Sequence, residues 1–189
     1  MPVGVAINED ELKQVRAKFD VLLKLMEQSL QDEDRILVEK AFDMAVDAHK
    51  YQRRKSGEPY IFHPIEVARI CFEEIGLGPT AVVCALLHDV VEDTPVTLQE
   101  ITETFGPKVY VIVDGLTKID GTYNTDDVES PQAENFKKVL STLVVDVRVV
   151  LIKMADRLHN LRTIDAQPKH KQLKIAAETE YIYTPLAHR

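Results

Sequence analysis

Apolar residues recur along this chain at the three- and four-residue steps of an α-helix, separated by short polar breaks marked by Gly or Pro. Asn8 followed three residues later by Glu11 is a capping-box pattern. It predicts a helix with Val15, Phe19, Leu22, Leu23 and Met26 on its inner side. A second helix is expected from Asp32 or Asp34, with Ile36, Leu37, Ala41, Phe42, Ala45 and Ala48 facing the core. It fades at Tyr51, and the polar run 52–59, which contains Gly57 and Pro59, reads as a loop with turn chemistry. Pro64 suits the first position of a third helix that reaches about Ile75 and is stopped by Gly76 and Gly78. Pro79 opens a fourth, expected to continue through Val91. Thr97 with Glu100 forms a second capping box, whose short helix stops at Gly106. Pro107 opens another helix, ending near Lys118. Residues 120–130 read as the one long loop, and helices over about 131–145, 148–163 and 168–184 complete the set. The Val-rich stretch 144–152 has strand propensity but no second strand to pair with, so it reads as buried helix. The fold class is all-α, a compact helical domain of about nine to eleven helices.

Size and composition fit that picture. At 189 residues the chain suffices for one domain, whose core can bury roughly 70% of the unfolded surface without disulfides or a structural metal. Lys plus Arg is 23 and Asp plus Glu is 31, a net charge of −8. That balance excludes a general nucleic-acid binder, so anionic substrates must meet a local basic cluster or a metal. Cys71 and Cys84 sit in apolar helical patterns, and the first residues lack the blocks of a targeting segment. A reduced, cytoplasmic chain is expected. No apolar run approaches the ~18–20 residues of a membrane span.

Four segments carry candidate chemistry. The nearly pure core run 81–87 leads directly into His88, Asp89, Glu92 and Asp93. Acids at the end of so buried a helix cost several kcal/mol if unpaired and face the negative end of its dipole. A divalent cation removes both problems. The i,i+4 pairs His88–Glu92 and Asp89–Asp93 bring two adjacent helix faces to one spot. A polar helix end in solvent is the plainer alternative. Asp156 follows a similar apolar run, with Asn160 four residues on; simple surface pairs, worth about 0–1 kcal/mol, are the alternative there. His63 beside Pro64 is either a helix cap or a rigidly held ligand. Together His63, His88, Asp89 and Asp156 make a two-imidazole, two-carboxylate set suited to Mn²⁺, Fe²⁺ or Zn²⁺. Finally, Lys50, Arg53, Arg54 and Lys55 cluster just before His63. They form either a solvated loop or a cradle whose Arg forks hold phosphate and stack on a base.

These segments, HKYQRRKSGEPYIFHP from His49, ALLHDVVEDT from Ala85, DGLTK from Asp114 and KMADRLHNLRT from Lys153, resemble the HD-type hydrolase domain of RelA/SpoT homologues. These enzymes handle the guanosine alarmones ppGpp and pppGpp. The resemblance covers about residues 30–189 and implies an HD-type fold in one domain over 1–189. Residues 1–30 would be a leading helix, and 178–189 the start of a linker to a synthetase domain in a longer bifunctional protein. It further implies one Mn²⁺ on His63, His88, Asp89 and Asp156. Glu92 and Asp93 would activate the attacking water, and Arg54, Lys55, Ser56, Asn160 and Thr163 would hold the guanosine part. The implied activity is hydrolysis of the 3′-pyrophosphate of ppGpp or pppGpp to GDP or GTP plus pyrophosphate, in alarmone turnover. The implied partner is a small nucleotide, with neither nucleic acid nor membrane. Two other readings remain: a phosphohydrolase of another nucleotide, and a binding module with a silent site.

Overall fold

Both capping boxes form. In the computed structural model, which describes residues 5–120 and 146–187, the Asn8 side chain accepts from the Glu11 N–H at 2.9 Å and the Glu11 carboxylate accepts from the Asn8 N–H at 3.0 Å. They open α1 (Glu9–Met26). α2 (Asp32–Ala48) follows, then α3 (Phe62–Arg69), which runs on into a π-helical turn over Ile70–Glu74. α4 (Pro79–Leu86), α5 (Val90–Asp93), α6 (Leu98–Phe105) and α7 (Pro107–Asp120) come next. After the undescribed segment come α8 (Val147–Arg162), α9 (Lys169–Glu178), a π-helical turn over Thr179–Tyr183 and α10 (Thr184–Ala187). The all-α expectation holds: among the described residues the one extended pairing is an isolated bridge between Arg53 and Pro59. Eight of these helices have eight residues or more, slightly below the number expected. Apart from Asp120, the expected loop over 120–130 and the helix over 131–145 lie outside the described residues.

α4 is the centre of the molecule. Every residue from Ala81 to Leu87 is buried, and α2, α3, α7 and α8 pack around it. Phe19 of α1 and Phe42 of α2 stack with ring centroids 3.8 Å apart. The Val-rich stretch is helical from Val147, with Val149, Val150 and Ile152 buried and Asp146 capping the helix by accepting from the Arg148 N–H.

Three local expectations are corrected. Ile36 is exposed and Val38 takes its place in the core, because Ile36 lies half a turn round the helix from Ala45 while Val38, Ala41, Phe42 and Ala45 share one face. α3 begins at Phe62, so Pro64 is its third residue, still within the first turn, where its missing N–H has no intrahelical acceptor. The helix expected from Pro79 through Val91 is broken: α4 stops at Leu86, and residues 87–89 form a turn before α5.

α7 and α8 approach closely at Gly115, where an added Cβ would lie 2.9 Å from Val149 Cγ2. In an open helix, Gly→Ala gains about 1 kcal/mol. Here overpacking costs about 1–3 kcal/mol against a buried, β-branched side chain. Gly115→Ala is therefore expected to lower the unfolding free energy in urea; a variant more stable than the native protein would contradict this packing.

Candidate metal centre and adjoining pocket

Three separate elements deliver polar side chains to one point in this apolar interior. His63 sits in the first turn of α3, His88 in the turn after α4, and Asp156 midway along α8. His63 and His88 are 2% and 0% exposed, so neither is a surface histidine. One ligand atom from each of His63, His88 and Asp156 lies within 4.8 Å of the others. His63 Nε2 is 3.0 Å from Asp156 Oδ1 and 3.8 Å from Asp89 Oδ2. His88 Nε2 is 3.0 Å from Asp89 Oδ2 and 3.9 Å from Asp156 Oδ1. All four residues singled out in the sequence therefore meet. The broken helix is what permits it: successive residues of a continuous helix point about 100° apart, whereas the turn lets His88 and Asp89 face one centre.

The local bonding explains the break. His88 Nδ1 donates to the Ala85 carbonyl at 2.8 Å, an acceptor that a continuing helix would need for its own ladder. The same bond commits Nδ1 as a donor and turns Nε2 inward, where a bound cation would take the place of a proton. That Nε2 is fully buried and, although close to Asp89, lies out of line for a hydrogen bond with it. A buried imidazole nitrogen beside two carboxylates fits a divalent cation with N/O preference.

Further groups orient the carboxylates. The Tyr60 hydroxyl donates to Asp89 Oδ2, and Asn160 Nδ2 donates to Asp156 Oδ1 at 2.7 Å. Burial disfavours charge on Asp89 and Asp156, but His88, His63 and the buried Lys153 outweigh it and hold both carboxyls below their usual range. Burial likewise opposes charge on His88, yet the two carboxylates push its pKa up to about 9. His63 goes the other way, lowered chiefly by burial. His159, 2.7 Å from His63 between their Nδ1 atoms, is pushed down to about 4 by burial, then by His63 and Arg54.

A cavity of about 240 Å³ opens alongside, lined by Arg54, Lys55, Ser56 and Glu58 on one wall and by Thr163 and 165–167 on the other. The loop turns at Gly57, whose φ of 92° suits glycine. Arg54 Nη2 donates to Thr163 Oγ1 at 2.9 Å and to Asn160 Oδ1 at 3.3 Å. A continuous chain therefore runs from the cluster through Asp156 and Asn160 to the guanidinium in the pocket. The basic cluster divides: Arg53 turns away to grip Glu11 and the Val5 and Ala6 carbonyls, while Lys50 pairs with Asp47. Glu92 and Asp93 are exposed on α5. Gln52 Nε2 donates to the Asp93 carbonyl at 2.8 Å and the Gln52 carbonyl accepts from the Tyr60 N–H at 3.0 Å, so Asp93 lies on the Tyr60 side of the cluster.

Tyr60, Lys153 and His159 were not singled out from the sequence. Each left a trace there: Tyr60 three residues before His63, Lys153 as the lone charge in an apolar run, and His159 three residues after Asp156 on one helix face. Arg157 faces elsewhere, pairing with Glu178 at 2.8 Å and lying 4.6 Å from the Tyr183 ring centroid.

The family model described as HD domain matches residues 41–189. The chain is 45% identical over 171 residues to the bifunctional (p)ppGpp synthase/hydrolase SpoT of Escherichia coli K12, covering 90% of this chain and 24% of that protein. It is 50% identical over 146 residues to the guanosine-3′,5′-bis(diphosphate) 3′-pyrophosphohydrolase of Haemophilus influenzae, covering 77% of this chain and 21% of that one. The chain thus spans about a quarter of the length of the curated relatives it matches. A solved structure, described as a metazoan ortholog of SpoT that hydrolyzes ppGpp, superposes with a TM-score of 0.64 at 26% identity, covering 77% of this chain and 83% of that one.

Tyr60→Phe removes one donor from a nearly buried carboxylate and leaves the ring in place. A loss of about 1.5–3 kcal/mol is expected in denaturant unfolding, the range for hydrogen bonds to charged groups. Unchanged stability would contradict the role given to that hydroxyl.

Proposed function

The chain belongs to the HD domain family, and on that premise we propose that it hydrolyses the 3′-pyrophosphate of ppGpp and pppGpp, releasing pyrophosphate and leaving GDP or GTP. The observation that carries this reading is the bonded chain from the His/Asp cluster through Asn160 to Arg54, which joins a candidate metal centre to a basic pocket. His63, His88, Asp89 and Asp156 would hold one divalent ion, with Mn²⁺ the ion the family resemblance implies. When bound, such an ion supplies Lewis acidity toward a phosphoryl oxygen and lowers the pKa of a water.

The chain's own residues do the rest. Arg54 and Lys55 present positive charge to the nucleotide phosphates, and the planar Arg54 group can also stack on the base. Arg54 is braced by Asn160 and Thr163, so its fork is oriented before substrate arrives. Ser56 shares the same wall. Glu92 or Asp93 takes the proton of the attacking water as general base. The water oxygen bonds to the 3′-linked phosphorus, the P–O3′ bond breaks, and the ribose 3′-oxygen takes up a proton as pyrophosphate departs. Positioning and charge neutralisation supply most of the catalysis in phosphoryl transfer. The partner is a small guanosine nucleotide. Among the described residues no helix is long and apolar enough to cross a membrane. The two buried, unpaired thiols accord with a cytoplasmic setting.

A pyrophosphate-release assay on ppGpp, with and without Mn²⁺, tests the activity. Release is expected with Mn²⁺ and ppGpp; equal or faster cleavage of GTP, which lacks a 3′-phosphate, would overturn the substrate assignment. Within that assay, Glu92→Gln is expected to keep metal bound and to slow turnover by about 10²–10⁴-fold, the usual share of a general base. Asp89→Ala is expected to lose both metal and turnover. A fully active Asp89→Ala protein would refute the ligand assignment.

A further inference from the structure

We propose that His159 is a positioning residue for the metal centre: its Nδ1 accepts a hydrogen bond from His63 Nδ1 and so holds the His63 Nε2 lone pair toward the ion. The inference rests on the reading of His63 as a metal ligand given above. The two Nδ1 atoms are 2.7 Å apart, with ring centroids at 4.9 Å and planes tilted by 38°. Two nitrogens at that separation share one proton, so one ring donates and the other accepts.

Two arrangements satisfy the distance. In the first, His63 carries its proton on Nε2 and donates to Asp156, 3.0 Å away, while His159 donates to His63 Nδ1. In the second, His63 carries its proton on Nδ1 and donates to His159. A cation on His63 Nε2 requires the second, because a protonated Nε2 has no lone pair to offer. His159 then supplies the acceptor that the displaced proton needs. His63 is buried, so without that acceptor its Nδ1–H would be a buried donor with no partner. Metal-bound imidazoles usually donate their second N–H to a carboxylate, a carbonyl or water. Here the acceptor is another imidazole, carried on the helix that supplies Asp156, and its backbone carbonyl accepts from Thr163 Oγ1 at 3.0 Å. The residue that sets the ligand tautomer is thereby tied to the pocket wall.

The test is Mn²⁺ titration of the whole chain, followed by the electron paramagnetic resonance of free Mn²⁺, for the native protein, His159→Leu and His159→Asn. Leucine fills the space without an acceptor; asparagine places an amide oxygen near the position of the lost Nδ1. His159→Leu is expected to weaken Mn²⁺ binding by about 10–100-fold, as loss of an orienting partner does, and His159→Asn to restore most of it. Native-like affinity in His159→Leu overturns the proposal alone, and so does an equal loss in both variants, which marks a packing role. A native protein that binds no Mn²⁺ overturns the metal reading and this inference with it. A second measurement needs no variant: ¹⁵N NMR of the histidine rings in native protein loaded with diamagnetic Zn²⁺. Protons on His63 Nδ1 and His159 Nε2 support the proposal; a proton on His159 Nδ1 overturns it.

Discussion

Two imidazoles, each 3.0–3.9 Å from both of two carboxylates inside a helical interior, set the terms for the rest of the molecule. The acid side chains are only 14% and 17% exposed, too buried for water to screen them well. Uncompensated charge at that depth costs several kcal/mol. The surrounding structure compensates group by group: Tyr60 donates to Asp89, Asn160 donates to Asp156, the buried Lys153 adds positive charge, and His88 carries a raised pKa. Each of these has to be brought from a different segment. The helical break after Leu86 belongs to the same requirement, since it aims adjacent residues at one centre.

α8 organises the functional side of the molecule. Asp156, His159, Asn160 and Thr163 follow at steps of three, one and three residues and share one helix face. That face carries a carboxylate of the cluster, the imidazole bonded to His63, and both anchors of Arg54. Arg157, about 100° round the helix, pins Glu178 and packs over Tyr183 instead. One rigid element thus fixes the distance between cluster and pocket while also docking the C-terminal turn. Sites built on helices hold their geometry better than sites built on loops, and α8 supplies that rigidity to a site whose His88 and Asp89 sit in a turn and whose Arg54 sits on a loop.

Much of this could be read in the sequence because local chemistry dictated it. The capping boxes at Asn8 and Thr97, the stop at Gly106 and the loop turning at Gly57 depend on residues three or four apart, and all form as expected. His88, Asp89 and Asp156 stood out because polar groups following buried runs demand a partner, whereas His63 read equally as a helix cap. What escaped depended on tertiary detail. The segment 79–91 reads as one helix, but the His88 side chain takes the Ala85 carbonyl that its continuation would need. Ile36 and Val38 are equally apolar, and it is the packing of α2 that decides between them. Arg53 and Arg54 are adjacent and chemically identical; one serves the N-terminal segment and the other the pocket, a division fixed by Glu11 and Thr163 far away in the chain. His159 and Tyr60 touch the cluster through single bonds, and a three-residue spacing from Asp156 or His63 is too common a trace to announce them.

Anomalous scattering from crystals grown with Mn²⁺ would show directly whether side chains from three separate segments close on a single divalent ion. One strong peak is expected beside Nε2 of His63 and His88 and a carboxylate oxygen each from Asp89 and Asp156. An ion bound elsewhere on the molecule, or held by only one of these four residues, would contradict it.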